Sequence, residues 1–233
     1  MANGSKASLM DTMSRFVVEF GKDGLPPAEE GRLDAPAFHR NCEPIWQAIS
    51  PLLPAEGAVL EIGSGTGQHV TTYAARTPWL TWYPTDILES HLTSIEAWRR
   101  NADLTNVQPP QRIDLLDPDW AWIPGGPLAA MLCVNVLHIS PWAVSQNLIA
   151  GAARLLQPNG KLFVYGPFMR DGAHTAASNA TFDASLRAQN SAWGVRDTRD
   201  LAALASAHKL LLADVIAMPS NNFLLVFARA EQT

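Results

Sequence analysis

The stretch Val59–His69, VLEIGSGTGQH, sets Gly63, Gly65 and Gly67 at alternate positions directly after a short apolar run. With Ser64 and Thr66 between them they leave a nearly bare backbone that a ligand can approach closely. Loops of this kind carry nucleotide-like cofactors, and the neighbouring residue types decide which. Phosphoryl transfer from a nucleoside triphosphate needs G-x-x-x-x-G-K-[ST], but no lysine follows these glycines. The dinucleotide fingerprint needs glycine or alanine where Gln68 stands, and the third glycine falls one residue early. The carboxylate of Glu61, just ahead of the loop, would also oppose a pyrophosphate. A tight turn that needs glycine for its dihedrals alone is the plain alternative.

A cationic ligand without phosphate meets none of these objections, and S-adenosylmethionine is one. Glu61 is placed to receive its ammonium, directly or through water. Asp86 closes the second apolar run, where an acid can hydrogen-bond both ribose hydroxyls. Asp114, closing the third, suits the adenine amino group, and Asn135 and Val136 end the fourth beside the amino-acid end and the sulfonium. Each acid alone also reads as a cap or a solvated turn residue.

These groups sit at strand ends because a β/α alternation begins at Ala58. Strands are expected over 58–62, 80–85, 107–114, 128–136, 161–166, 210–217 and 223–228. The unbroken apolar run at 128–136 suits a strand covered on both faces. Between strands, Leu88, Leu92 and Ile95 recur at helical spacing. Ser140-Pro141 reads as an N-cap and first-turn pair ahead of Val144, Leu148, Ala152 and Leu155, and 197–209 opens with capping residues. A further helix over 38–49 is expected to be entered near Pro44. The pattern implies an α/β domain: one doubly wound, mostly parallel seven-stranded sheet with an antiparallel C-terminal hairpin and a crevice at its strand ends. Residues 1–34 read as an N-terminal appendage, turn-rich after SLMDTMSRFVVEF, that docks on the domain or mediates self-association.

Composition narrows the partners. Seventeen Lys+Arg against 22 Asp+Glu, a net charge of −5, offer no general footprint for nucleic acid. No apolar run approaches the roughly 20 residues that span a bilayer, and the N-terminus has no signal-peptide pattern. Two isolated cysteines, Cys42 and Cys133, suggest neither a disulfide framework nor a metal site. A cytoplasmic protein acting on a small molecule is expected.

The pattern VLEIGSGTGQH followed by PTD resembles the class I methyltransferase, Rossmann-like fold. HRNCEPI, EIGSGTGQH, WYPTD, SIEAWR, NVLHISPW, YGPF, SNATFDASLR, WGVRD and MPSNN together resemble the family known as domain of unknown function 938, related to the methyltransferase-like 26 proteins. The resemblance runs in order over about residues 35–230. It implies that fold and the use of S-adenosylmethionine, and little about substrate. Arg40 of HRNCEPI and Leu115, next to Asp114, join the candidate cofactor-binding residues.

The acceptor side is expected after the fourth and fifth strands. His138 in NVLHISPW is a candidate general base, with a histidine that fixes its loop by hydrogen bonds as the equal alternative. Tyr165 of YGPF is the second candidate catalytic residue. The segment 166–196 is too long for a plain crossover and reads as a lid. Trp142, Arg170, His174, Asn179, Arg187, Trp193, Arg196 and Asn221 are the candidate substrate contacts, and Asn222 beside Asn221 in the closing hairpin is expected to help complete the pocket. Arg170, Arg187 and Arg196 suggest an anion, most simply a carboxylate gripped bidentately, although Asp183 and Arg187 also have the spacing of a helical ion pair. The expected activity is transfer of a methyl group from S-adenosylmethionine to a small anionic molecule, with oxygen favoured as acceptor. Three alternatives stand: a cofactor-binding regulatory protein without catalysis, a protein or RNA acceptor, and a nicotinamide-dependent oxidoreductase. The last is disfavoured by Gln68 and by the lack of a Tyr-x-x-x-Lys pair.

Overall fold

Apolar side chains that alternate along strands must be covered on both faces, and the chain supplies helices for each. In the computed structural model, which describes residues 31–117, 120 and 126–229, the strands are β1 (Gly57–Ile62), β2 (Leu80–Asp86), β3 (Gln111–Arg112), β4 (Leu128–Val134), β5 (Leu156–Gly166), β9 (Leu210–Met218) and β10 (Asn222–Arg229). They form one sheet in the order β3-β2-β1-β4-β5-β10-β9. The pairs β1–β2, β1–β4, β2–β3 and β4–β5 are parallel, whereas β10 is antiparallel to both β5 and β9. The expected architecture is the one the chain adopts.

Six helices are described: α1 (Pro36–Ile49), α2 (Gln68–Arg76), α3 (Glu89–Ala102), α4 (Trp142–Leu155), α5 (Ala177–Gln189) and α6 (Thr198–Ala207). On one face Leu148 of α4 and Leu201 of α6 bury Leu60, Met131, Leu162 and Phe227. On the other, Ile45 of α1 and Tyr73 of α2 bury Val59, Trp82, Phe163 and Leu224. No helix among the described residues is long and apolar enough to cross a membrane.

Several boundaries differ from the sequence reading, each for a local reason. Helix α1 starts at Pro36, well ahead of Pro44, which lies inside it. Pro36 suits the first turn. Pro44 forgoes one backbone bond, and the buried face of Cys42, Ile45 and Ile49 holds the helix through it. The third strand shrinks to Gln111–Arg112 plus a lone bridge from Val107 to Trp82, because Pro109 and Pro110 have no N–H for a ladder. Pro141, not Ser140, is the N-cap of α4; the Ser140 hydroxyl donates to the carbonyls of Val136 and Leu137 at 3.0 and 3.2 Å. Asp197 does cap α6, accepting from Arg199 N at 2.8 Å.

Between β5 and α6 lies a separate three-stranded sheet of β6 (Phe168–Arg170), β7 (Ala173–His174) and β8 (Arg196–Asp197), with α5 alongside. At the other end, residues 32–35 lie on α2 and α3. The Gln68 side chain donates to Asp34 and accepts from Ala35 N, and Ser94 Oγ accepts from Leu33 N. The helix expected within SLMDTMSRFVVEF lies outside the described residues.

Candidate active site

The loop after β1 is sewn to the end of β2. Gly63, Gly65 and Gly67 have φ of +66°, +56° and +89°, in the left-handed region that only glycine enters freely. A Cβ on Gly67 would sit 2.8 Å from the Ile95 Cα, and one on Gly63 would sit 2.7 Å from the Val136 Cγ2. Ser64 N donates to the Thr85 carbonyl at 2.8 Å, Gly65 N to Asp86 Oδ2 at 2.9 Å and Gly67 N to the Ser64 carbonyl at 3.0 Å. The N–H groups of Ser64, Gly65 and Gly67 are therefore committed inside the protein and not offered to a phosphate. Of the five loop residues only Gly63 and Gly65 reach the cleft wall. Ser64 and Thr66 are buried behind it, and Thr66 donates to Gln68 Oε1 at 2.9 Å.

The cleft holds about 830 Å³ and runs over the ends of β1, β2 and β4. Asp86, Asp114, Leu115, Asn135 and Val136 line it as the sequence suggested. Asp86 Oδ1 accepts from Ile87 N at 2.8 Å and Leu88 N at 3.0 Å and lies 3.1 Å from His91 Nδ1. Its Oδ2, with Gly65 N as one donor, keeps an acceptor position for a ligand. His91, which lines the cleft and was not foreseen, has as its only sequence signal its place one turn ahead of Ile95.

Glu61 does not reach the cleft wall but lies buried beneath the loop, and its Oε2 makes no hydrogen bond with any described residue. Burial pushes its carboxyl up to about 8, with the Ser64 hydroxyl opposing and the Asp86 charge adding to the rise. A buried carboxylate short of donors, under a cradle that a Cβ would fill, fits the positive end of S-adenosylmethionine.

A second chamber of about 1520 Å³ adjoins the first, and Asn135 and Ile139 belong to both walls. Asn135 adopts φ +59°, a conformation asparagine tolerates, while its N–H donates to the Tyr165 carbonyl at 2.9 Å. His138 sits in the short 3₁₀ turn Leu137–Ile139, its ring edge-on to Phe182 with centroids 5.5 Å apart. Its ring nitrogens make no hydrogen bond with the described residues. Burial, with the Arg196 charge adding, lowers its pKa to about 4, so the imidazole is neutral at pH 7. Tyr165 Oη accepts from Asn222 Nδ2 at 3.1 Å, and burial raises its pKa.

Asn179, Trp193 and Asn221 line this chamber, as does Arg40, which the sequence reading had grouped with the cofactor. Trp142, Arg170, His174, Arg187 and Arg196 reach neither cavity wall. Arg196 donates to the carbonyls of Leu137, Ser140 and Ala192 and lies over Trp142 at 5.9 Å. Arg187 pairs with Asp183 at 2.9 Å, and His174 Nε2 lies 3.6 Å from the same carboxylate. Arg170 is exposed over the Phe223 ring. Asn222 lines the chamber beside Asn221, and Phe182 and Leu186 are wall residues that the sequence reading missed. The spacing of 179, 182 and 186 on one helix face was a usable signal for those two.

A model of the family described as "Protein of unknown function (DUF938)" matches residues 32–229. The chain belongs to that family. Among solved structures, this DUF938 protein is similar to an O-methyltransferase family protein from Burkholderia thailandensis, with TM-score 0.71, 21% identity, and coverage of 84% of this chain and 58% of that one. It is also similar to CalO1, a methyltransferase of calicheamicin biosynthesis in its SAH-bound form (TM-score 0.65, 18% identity, 83% of this chain and 55% of that one). A third is the mitomycin 7-O-methyltransferase MmcR (TM-score 0.66, 17% identity, 82% and 54%). The DUF938 chain thus spans little more than half the length of the structures it matches. At these identities the likeness establishes the class I methyltransferase fold.

Proposed function

We propose that the protein is an S-adenosylmethionine-dependent methyltransferase that methylates an oxygen of a small molecule bearing an anionic group. The observation that carries this reading is the junction at Asn135 and Ile139, where a cleft suited to a phosphate-free cation opens into a chamber that presents a neutral histidine. The fold that it shares with solved O-methyltransferases and its resemblance to the methyltransferase-like 26 proteins support the same reading.

Asp86 would hold the ribose hydroxyls, Asp114 and Leu115 the adenine, Asn135 and Val136 the amino-acid end, and Glu61 the ammonium from below the loop. Bound there, S-adenosylmethionine supplies a methyl carbon on a sulfonium whose sulfur keeps the electron pair of the broken C–S bond. The walls align the acceptor oxygen with that carbon, and good alignment alone is worth effective molarities of about 10⁵–10⁸ M. An acceptor hydroxyl held in the chamber would give its proton to an imidazole nitrogen of His138. Because burial weakens His138 as a base, its contribution falls at the lower end of the usual range, about 10²-fold.

The test is transfer of labelled methyl from S-adenosylmethionine to a library of phenols, alcohols and carboxylic acids. Transfer to a hydroxyl is expected, with kcat about 10²-fold lower in His138→Ala and the affinity for S-adenosylhomocysteine unchanged. Binding of S-adenosylhomocysteine without transfer to any compound would leave a cofactor-binding protein without catalysis.

A further inference from the structure

The two cavities carry opposite charge. The cofactor cleft presents Asp86 and Asp114, with Glu61 buried behind it. The chamber beyond Asn135 has no aspartate or glutamate among its lining residues, in a chain with 22 acids against 17 bases. Its formal charge comes from Arg40, on the α1 wall. Several other arginines are paired: Arg76 with Glu43, Arg99 and Arg100 with Glu96, and Arg187 with Asp183. Arg40 makes no ion pair or hydrogen bond with any described residue.

The groups around Arg40 are donors as well. Its charge reaches the Tyr165 hydroxyl. That hydroxyl accepts from Asn222, so its own proton is free for a ligand. A cation and an O–H without an opposing anion describe a receptor for negatively charged oxygen. The rings of Phe182 and His138, packed edge to face, also line the chamber and give it an aromatic wall.

We propose that the chamber selects acceptors carrying a carboxylate, which Arg40 receives together with the Tyr165 hydroxyl, across a flat apolar body from the oxygen that is methylated. The inference rests on the methyltransferase reading and specifies its substrate as a hydroxy acid. A carboxylate is ionised at neutral pH, and a guanidinium holds it through two parallel hydrogen bonds. The carboxylate is the handle and not the acceptor, because methylating it would remove the charge that binds it and leave Arg40 facing an ester. Since the whole chain is acidic, attraction at long range is weak and selection is exerted inside the chamber.

The experiment is calorimetry on the full chain saturated with S-adenosylhomocysteine, titrated with 2-, 3- and 4-hydroxybenzoate and with the matching neutral hydroxybenzamides. At least one acid is expected to bind tenfold or more tightly than its amide. Arg40→Gln should abolish that difference and Arg40→Lys retain part of it, with S-adenosylhomocysteine affinity and Tm unchanged in both. Equal binding of acid and amide, no binding of any acid, or discrimination that survives in Arg40→Gln would overturn the proposal. If S-adenosylhomocysteine itself fails to bind the native chain, the methyltransferase reading falls first. If it binds and the acid preference is missing, only the assignment of Arg40 falls.

Discussion

The cleft over the strand ends and the chamber beyond it share Asn135 and Ile139 yet are assembled in different ways. The cleft is made by consecutive strand ends, and its loop is locked by main-chain hydrogen bonds to Thr85 and by the Asp86 carboxylate. The chamber is gathered from α1, the turn at His138, α5 and the turn before β10, and it is braced by long side chains. Arg196 clamps the His138 turn through the carbonyls of Leu137 and Ser140 and ties it to Ala192, while Asp183 holds Val195 N at 2.7 Å and Arg187 at 2.9 Å. A backbone-built site tolerates little change in its residues, whereas a side-chain-built one can be retuned position by position. Under the proposed function, the contrast teaches that cofactor binding and substrate choice can change separately.

The largest effect that would test this contrast is expected from Gly67→Ala. The new Cβ would meet the Ile95 backbone at a φ of +89°, so the loop must shift. Calorimetry should show S-adenosylhomocysteine affinity down by about 100-fold or more, alongside a lower Tm; unchanged affinity would mean that the loop is not the rigid element described here.

Glu61 gives the next effect. Its carboxyl holds a proton up to about pH 8, whereas a positive ligand favours the ionised form. Affinity for S-adenosylmethionine should therefore fall by up to about tenfold for each unit below pH 8, and this slope should vanish in Glu61→Gln. Stability carries the opposite sign. The unfolded glutamate ionises near 4.5 and the folded one near 8, so the stability lent by the protonated form is complete below 4.5 and lost as pH rises through 8. Melting curves should show Glu61→Gln gaining on the native chain between pH 5 and pH 9.

Arg196→Ala removes the clamp on the His138 turn. A loss of about 3 kcal/mol is expected, or roughly 6–12 °C in Tm, with S-adenosylhomocysteine affinity nearly intact. A higher KM for the acceptor at unchanged Tm would instead make Arg196 a substrate ligand. The smallest effect belongs to Arg170→Ala, an exposed site over Phe223. Both stability, within about 0.5 kcal/mol, and acceptor KM should be unmoved.

The same contrast explains what could be read from the chain. Asp86, Asp114, Asn135 and the glycines were legible because strand period and turn chemistry are local, and each strand end delivers its residue to one crevice. The bracing arginines were not. A guanidinium that grips a carboxylate and one saturated by carbonyls look alike in sequence, and only the folded chain shows Arg196 spent on Leu137, Ser140 and Ala192. Arg40 was recognised as a site residue but grouped with the cofactor, because nothing local indicates that α1 runs unbroken through Pro44 and carries it to the chamber. The histidine at position 138 kept two readings until its environment was seen, and the absence of ring hydrogen bonds among the described residues disfavours the loop-fixing one.

The central claim, that the glycine loop seats a phosphate-free cation, is tested most directly by titrating the full chain with S-adenosylhomocysteine and with NAD at pH 8. One-to-one, saturable binding of S-adenosylhomocysteine, weakened in Asp86→Asn, with no binding of NAD, is the expected result. Binding of NAD in the absence of any S-adenosylhomocysteine binding would contradict it.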